Sequence, residues 1–69
     1  MDRVSVSSSN IASIGYDPNS ETLEVEFMRT GVYEYYNVPP FMHERLMQAG
    51  SIGTFFNAEI KPNYVCSKL

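Results

Sequence analysis

Aromatic side chains are the residues of this sequence best suited to binding chemistry. Tyr33 and Tyr35 flank Glu34 in an alternating stretch, so both rings lie on one face of a predicted strand. Rings placed in this way stack the bases of single-stranded nucleic acids. In so short a chain the same rings are more commonly core, because little other apolar surface is available. We therefore interpret Tyr33 and Tyr35 mainly as core, and Tyr16 and Tyr36 as the more exposed aromatics.

A second group of polar residues surrounds the predicted start of a helix. Gly50 and Gly53 enclose Ser51 and Ile52 in a GxxG pattern, which in KH domains clamps the nucleotide backbone. The middle residues are not basic and the strand order is not that of a KH domain, so a helix stop followed by a cap is the simpler explanation. Ser51 and the free N–H groups behind it could still hold an anion.

Basic residues near the second predicted helix form the best candidate for a positive patch. Lys61 follows that helix, where a cation suits the helix dipole. Asn57, Lys61 and Asn63 gather near Arg45 if the two predicted helices pack as an antiparallel pair. The common alternative is scattered solubilising charge. The candidate ligand-binding residues are therefore Ser51, Asn57, Lys61, Arg45 and Tyr36.

Catalytic chemistry finds little support in the residue types. His43 and Cys66 could act as a base and a nucleophile, but nothing in their spacing brings them together. Glu24, Glu26 and Glu34 share a strand face, where solvated charge is commoner than an ion site. A metal site would need more ligands at a recognisable spacing. We predict a protein that is not an enzyme, with no catalytic residue, metal or cofactor.

The length and composition of the chain indicate a single domain spanning residues 1–69. The 69 residues are 43% hydrophobic and 19% charged, as in ordinary globular domains. Cys66 is the sole cysteine, which fits a reducing, cytoplasmic setting. No apolar run approaches the roughly 18 residues of a membrane span. The net charge of −3 argues against strong nucleic-acid binding over most of the surface, but permits a local basic patch.

The stretch Leu23–Val38 reads as the central β-hairpin and carries most of the predicted core. We place Arg29, Thr30 and Gly31 in a three-residue loop, so that Phe27 lies opposite Tyr33 and Val25 opposite Tyr35. A four-residue loop would instead set Val25 beside Glu34 and bury a carboxylate.

The rest of the chain completes an α+β domain: an antiparallel meander of three to four strands, then two short helices packed on one face. Ile11–Tyr16 forms a strand with Ala12, Ile14 and Tyr16 on one face, and Gly15 marks a bulge or a close approach. A short strand at Val4 and Val6 precedes it. The helices are Phe41–Ala49 and Ile52 to about Ile60, with Gly50 as a stop and Ser51 as a cap. Residues 63–69 form a tail in which Tyr64 and Val65 are tucked in.

Several short motifs occur along this chain in the same order as in a known family. The chain resembles the KTSC domain family, a small domain found alone in bacteria and phages and at the C-terminus of some lysyl-tRNA synthetases. The resemblance implies RNA binding and carries over no catalytic residue. The Tyr-x-Tyr motif of the family matches Tyr33-Glu34-Tyr35. The other matching stretches are Ile14–Asp17, Thr22–Phe27, Gly31–Val32, Val38–Pro39, Ala49–Asn57 and Ile60–Lys61.

Two functions follow as hypotheses. The first is a small non-enzymatic binding module for RNA, a nucleotide or a protein, which meets its ligand near Ser51, Asn57 and Lys61. The alternative is a structural or protein-interaction domain with no nucleic-acid role, forming a homodimer through a sheet edge or the Tyr36 face. No partner in a membrane is expected under either hypothesis.

Overall fold

Alternating sequence and turn residues build one antiparallel sheet whose strands follow the chain order. The computed structural model describes residues 1–69. Its five strands pair in the order β1-β2-β3-β4-β5, so each strand contacts its neighbours in sequence and a single meander results. The strands are β1 (Arg3–Ser5), β2 (Ile11–Asp17), β3 (Thr22–Phe27), β4 (Gly31–Tyr35) and β5 (Cys66–Lys68).

The helical layer covers one face of this sheet, as predicted. Helix α1 spans Pro40–Gln48, and the proline stands in the first turn, where its missing N–H costs nothing. Helix α2 spans Ile52–Phe55 and continues as a π turn over Phe56–Ile60. The Ser51 hydroxyl accepts the Thr54 N–H and caps α2 as expected. Neither helix is both long enough and apolar enough to cross a bilayer.

The buried core lies between the sheet and the helices. Side chains from three strands meet side chains from α1 and the π turn, and the predicted helix faces are correct at Leu46, Phe56 and Ile60. The core residues are Ile11, Ile14, Leu23, Val25, Tyr35, Val38, Leu46, Phe56 and Ile60.

The predicted faces of the central hairpin are confirmed, but its predicted register is wrong by two residues. Val25 lies opposite Tyr33, and Phe27 lies opposite Gly31. The loop is residues 28–30, and the Met28 N–H bonds to the Asn10 carbonyl of the neighbouring β2 side instead of extending the hairpin. A shift of two residues keeps every side chain on its own face, so burial alone could not distinguish the two registers.

The predicted face of β2 is wrong at Ala12. A bulge between Ile11 and Ser13 interrupts the ladder, so Ile11 and Ile14 both reach the core and Ala12 is only half-buried. Gly15 marks a close approach and not the bulge. A Cβ atom at Gly15 would lie 2.8 Å from the Asp2 carbonyl oxygen.

The C-terminal tail is a fifth strand, beyond the three or four that the sequence predicted. Cys66 pairs with Tyr35, and Lys68 pairs with Tyr33, because the outer edge of β4 has unpaired backbone groups that need partners. Tyr64 is half-buried, whereas Val65 is 76% exposed and is not tucked in as predicted.

We predict that Gly15→Ala destabilises the domain by about 1–3 kcal/mol, because the added methyl group must displace the Asp2 backbone, directly before β1. Urea unfolding measures the change. Gly50→Ala is the matched control, since a Cβ at Gly50 meets nothing within 4 Å. Its expected effect is neutral or stabilising by less than about 1 kcal/mol. Equal destabilisation by both variants would contradict the assigned packing of β1 on Gly15.

Candidate functional site

An open cleft of about 490 Å³ lies where β4 and β5 meet the π turn. Aromatic rings form its floor, and polar groups stand at its rim. We call it the aromatic cleft. Its lining residues are Asn10, Phe27, Thr30, Tyr33, Tyr35, Phe56, Asn57, Lys61 and Cys66.

The rings of the cleft pack edge to face. Phe56 contacts Phe27 with centroids 5.4 Å apart and Tyr35 with centroids 5.3 Å apart. Phe27 also meets Tyr33, at 5.6 Å and nearly perpendicular. Tyr35 and Phe56 are buried, whereas Phe27 and Tyr33 are only partly buried. The ring surface that a ligand can reach therefore belongs to Phe27 and Tyr33.

Helical geometry places the polar rim. Phe56 and Ile60 are four residues apart in the π turn, and both point into the core. Asn57 and Lys61, one residue later in each case, share another side of the helix, and both line the aromatic cleft. π turns occur frequently at functional sites, because they aim side chains differently from a regular helix.

Positive charge gathers around the aromatic cleft in a protein whose net charge is −3. Lys61 lines the cleft, and the Lys68 Nζ atom lies 6.0 Å from the centroid of the Tyr33 ring. Arg29 lines an adjoining hollow that shares Asn10 and Phe27 with the cleft. None of these three cations forms a salt bridge, since the one ion pair joins Arg3 to Glu24 at 3.4 Å.

The structure brings together some of the predicted site residues and separates others. Asn57 and Lys61 line the aromatic cleft, and Ser51 lies in a polar groove beside it. Arg45 does not line the cleft, and its guanidinium group stands 5.6 Å from the centroid of the exposed Phe41 ring. Tyr36 is also outside the cleft, and its hydroxyl lies 3.3 Å from a Glu34 carboxylate oxygen. Of the predicted positive patch, Asn57 and Lys61 line the cleft and Arg45 does not, and a role of Arg45 in ligand binding stays a prediction.

Lys68, Cys66 and the accessible ring of Tyr33 were missed as a group by sequence reasoning. They come together because β5 returns from the far end of the chain to pair with β4. The turn residues Pro62 and Asn63 before the short tail were the only local signal of that return.

The carboxylates on the opposite sheet face have partners of their own. Glu24 pairs with Arg3, and the Ser13 hydroxyl donates to Glu26 at 2.8 Å. Glu34 contacts the Tyr36 hydroxyl. No group of three or more His, Cys, Asp or Glu side chains is arranged to hold a metal ion.

A second hollow, of about 570 Å³, lies between β2 and α1 on the other side of the molecule. Here Tyr16 and His43 stack on each other, with centroids 4.5 Å apart and ring planes 8° apart. His43 is thus half-buried, and burial lowers its pKa, with Glu44 opposing. The charged residues at this hollow are Asp2 and Glu44, and its rings already cover each other, so it suits a ligand less well. His43 and Cys66 line different cavities and form no dyad.

Comparison with known proteins agrees with the fold described above. The sequence model of the KTSC domain matches residues 7–64. The chain belongs to the KTSC domain family. The crystal structure of a KTSC domain protein from Yersinia pestis superposes with a TM-score of 0.97 at 46% identity, covering 99% of this chain and 96% of that one. The resemblance expected from the motifs is confirmed.

Two relatives show how the KTSC domain occurs. A Stutzerimonas stutzeri (strain A1501) protein, named only as uncharacterized, is 44% identical over 64 residues, which is 93% of this chain and 90% of that protein. A lysine–tRNA ligase of Nostoc punctiforme is 39% identical over 59 residues, which is 86% of this chain but 10% of the ligase. The domain therefore matches both a small protein and a minor part of a large one.

Burial of Tyr35 predicts a pH dependence of stability. Burial first, and then the neighbouring Cys66 thiol, raise the pKa of Tyr35 from 10.0 to about 12. Above pH 10 the unfolded chain loses this proton while the folded protein keeps it, so the free energy of unfolding falls as pH rises toward 12. Tyr35→Phe should show a smaller fall in urea unfolding over this range. Tyr36→Phe is the control for loss of one hydroxyl group. If the free energy of unfolding fell equally with pH in Tyr35→Phe and in the parent, Tyr35 would not be the group responsible for the fall.

Proposed function

We propose that this KTSC domain is a non-enzymatic module that binds single-stranded RNA or a nucleotide in the aromatic cleft. The observation that carries the proposal is the placement of Lys61 and Lys68 beside the accessible rings of Phe27 and Tyr33. A base would lie against these rings, and the lysines would neutralise an adjacent phosphate. Proteins that bind single strands combine these same two elements.

The proposed affinity is modest. Stacking of one base contributes about 1–3 kcal/mol, and the net charge of −3 opposes phosphate elsewhere on the surface. With one stacked base and one or two phosphate contacts we expect a Kd on the order of 10 μM to 1 mM. Affinity of this size suits an appended domain that adds to the binding of a larger protein.

The relatives support an RNA setting. The Nostoc punctiforme relative is named as a lysine–tRNA ligase, and a region of it resembles this chain. An RNA-binding domain attached to such an enzyme would act next to its tRNA. The exposed, unpaired thiol of Cys66 supports a reducing, cytoplasmic setting.

The absence of a catalytic role is part of the proposal. The Glu24, Glu26 and Glu34 carboxylates lie on the far sheet face with partners, which argues against general acid–base work in the cleft. Of the remaining candidates, only Cys66 reaches the cleft, and no histidine stands beside it as a base.

Protein interaction is the alternative, and the two sheet edges favour it. Strands β1 and β5 form the two edges of the sheet and are exposed, so each offers free backbone groups to a second copy of the chain. Light scattering over a range of concentrations tests this alternative. A monomer at every concentration, together with RNA binding, would leave the cleft as the functional surface.

The test of RNA binding uses Cys66 as a reporter, since this sole cysteine lines the cleft. We predict that a mixed-sequence single-stranded RNA slows alkylation of Cys66, and that added salt reverses the effect. Tyr33→Leu should weaken RNA binding about tenfold through loss of the ring face. Lys61→Gln should weaken it and lower the slope of log K against log salt by about 0.7.

Phe41→Leu and Arg45→Gln are the matched controls. They remove an exposed ring and its neighbouring cation outside the cleft, so RNA affinity should stay within about twofold of the parent, as expected for surface sites away from the ligand. The proposal would be refuted if the control variants lost as much RNA affinity as Tyr33→Leu and Lys61→Gln. It would also be refuted if no salt-dependent binding were seen at high micromolar protein.

A further inference from the structure

A polar groove continues the aromatic cleft along the start of α2. It has a volume of about 270 Å³, seven of its ten lining residues carry a hydroxyl or an amide side chain, and none is charged. We call it the serine groove. Its lining residues are Ser7, Ser8, Ser9, Asn10, Gly50, Ser51, Ile52, Gly53, Thr54 and Asn57.

The serine groove adjoins the aromatic cleft. Asn10 and Asn57 line both, so these two amides stand at the junction between the ring floor and the hydroxyl-rich channel. A ligand that occupied the cleft and was longer than one ring would pass between them.

Internal hydrogen bonds hold the two walls of the serine groove in place. On one wall the Ser8 hydroxyl donates to Asn10 Oδ1 at 3.2 Å. On the other the Ser51 hydroxyl donates to Thr54 Oγ1 at 2.9 Å. Gly53 lets the walls approach closely, since a Cβ there would lie 3.2 Å from Asn10 Oδ1. The walls are thus built before any ligand arrives, which lowers the entropy cost of binding.

The chemistry of the serine groove selects its ligand. With no lysine or arginine in its lining, it is poorly suited to a phosphate, whose recognition relies on cations. Hydroxyls and amides both donate and accept hydrogen bonds, as does the 2′-hydroxyl of ribose. In a nucleotide the sugar is bonded directly to the base, so a base in the aromatic cleft whose glycosidic bond faces the serine groove puts its sugar near Asn10 and Asn57.

We propose that Asn10 and Asn57, at the mouth of the serine groove, bind the ribose of the nucleotide whose base stacks in the aromatic cleft, so that the domain selects RNA over DNA. This inference rests on the proposed function and adds the ligand class to it. A site that hydrogen-bonds a hydroxyl rejects the analogue lacking that hydroxyl, because its polar groups then lose their partner. One or two such bonds correspond to a preference of about three- to tenfold.

The experiment compares RNA and DNA oligonucleotides of one sequence, with uracil in both, by their protection of Cys66 from alkylation. The parent should bind RNA about three- to tenfold more tightly than DNA. Asn10→Ala and Asn57→Ala should each lower the RNA-to-DNA ratio toward one. Asn63→Ala is the matched control: its amide bonds to the Glu59 carbonyl, outside cleft and groove, and the ratio should keep the parent value.

The outcomes separate the two proposals. Equal affinity for RNA and DNA in the parent would overturn ribose recognition and leave base binding in the cleft intact. An RNA preference that survives both Asn10→Ala and Asn57→Ala would also overturn it, since the ribose would then be recognised elsewhere. Absence of binding to either oligonucleotide would reject the proposed function itself.

Discussion

The edge-to-face packing of Phe56 on Phe27 and Tyr35 holds the two layers of this domain together. Each aromatic pair contributes about 0.5–1.5 kcal/mol beyond its buried area, and a Phe→Ala change in a core costs about 3–5 kcal/mol. Against the 5–15 kcal/mol that stabilises a typical domain, this is a large share. The same contacts fix the π turn, and thereby set Asn57 and Lys61 at the mouth of the aromatic cleft. Stability and the candidate site thus depend on one cluster of rings.

The two tyrosines of the Tyr-x-Tyr motif divide these roles. Tyr35 is 4% exposed and belongs to the core, as the sequence argument predicted. Tyr33 shares its face but is only partly buried, because it lies nearer the loop end of β4, where the helical layer no longer covers the sheet fully. A single strand therefore supplies a core residue and a residue that a ligand can reach. In a domain of 69 residues the surface available for binding lies close to the core.

Acidic and basic side chains lie on opposite sides of the sheet, so a protein with a net negative charge can still bind an anion on its basic side. The carboxylates of β3 and β4 lie on the face away from the helices, where Arg3, Ser13 and Tyr36 contact them. Lys61 and Lys68 lie on the opposite side, near the rings. Because charges more than about 8–10 Å apart in solvent are largely screened at physiological salt, the local positive charge outweighs the net charge of −3 at the cleft.

Local pattern alone determined the family, the α+β order, the faces of the hairpin, both helices and the Ser51 cap, because each depends on residues close in sequence. Alternation has a period of two, so it decides which face a residue occupies but not whether Val25 meets Tyr33 or Tyr35. Tertiary structure decided that register, the bulge that turns Ile11 inward, and the return of β5 to β4. It also decided that Lys68, and not Arg45, stands by the rings. Each of these features depends on how backbone groups pair between neighbouring strands, and for β5 the partner strand β4 lies about thirty residues earlier in the chain, so no local pattern records the pairing.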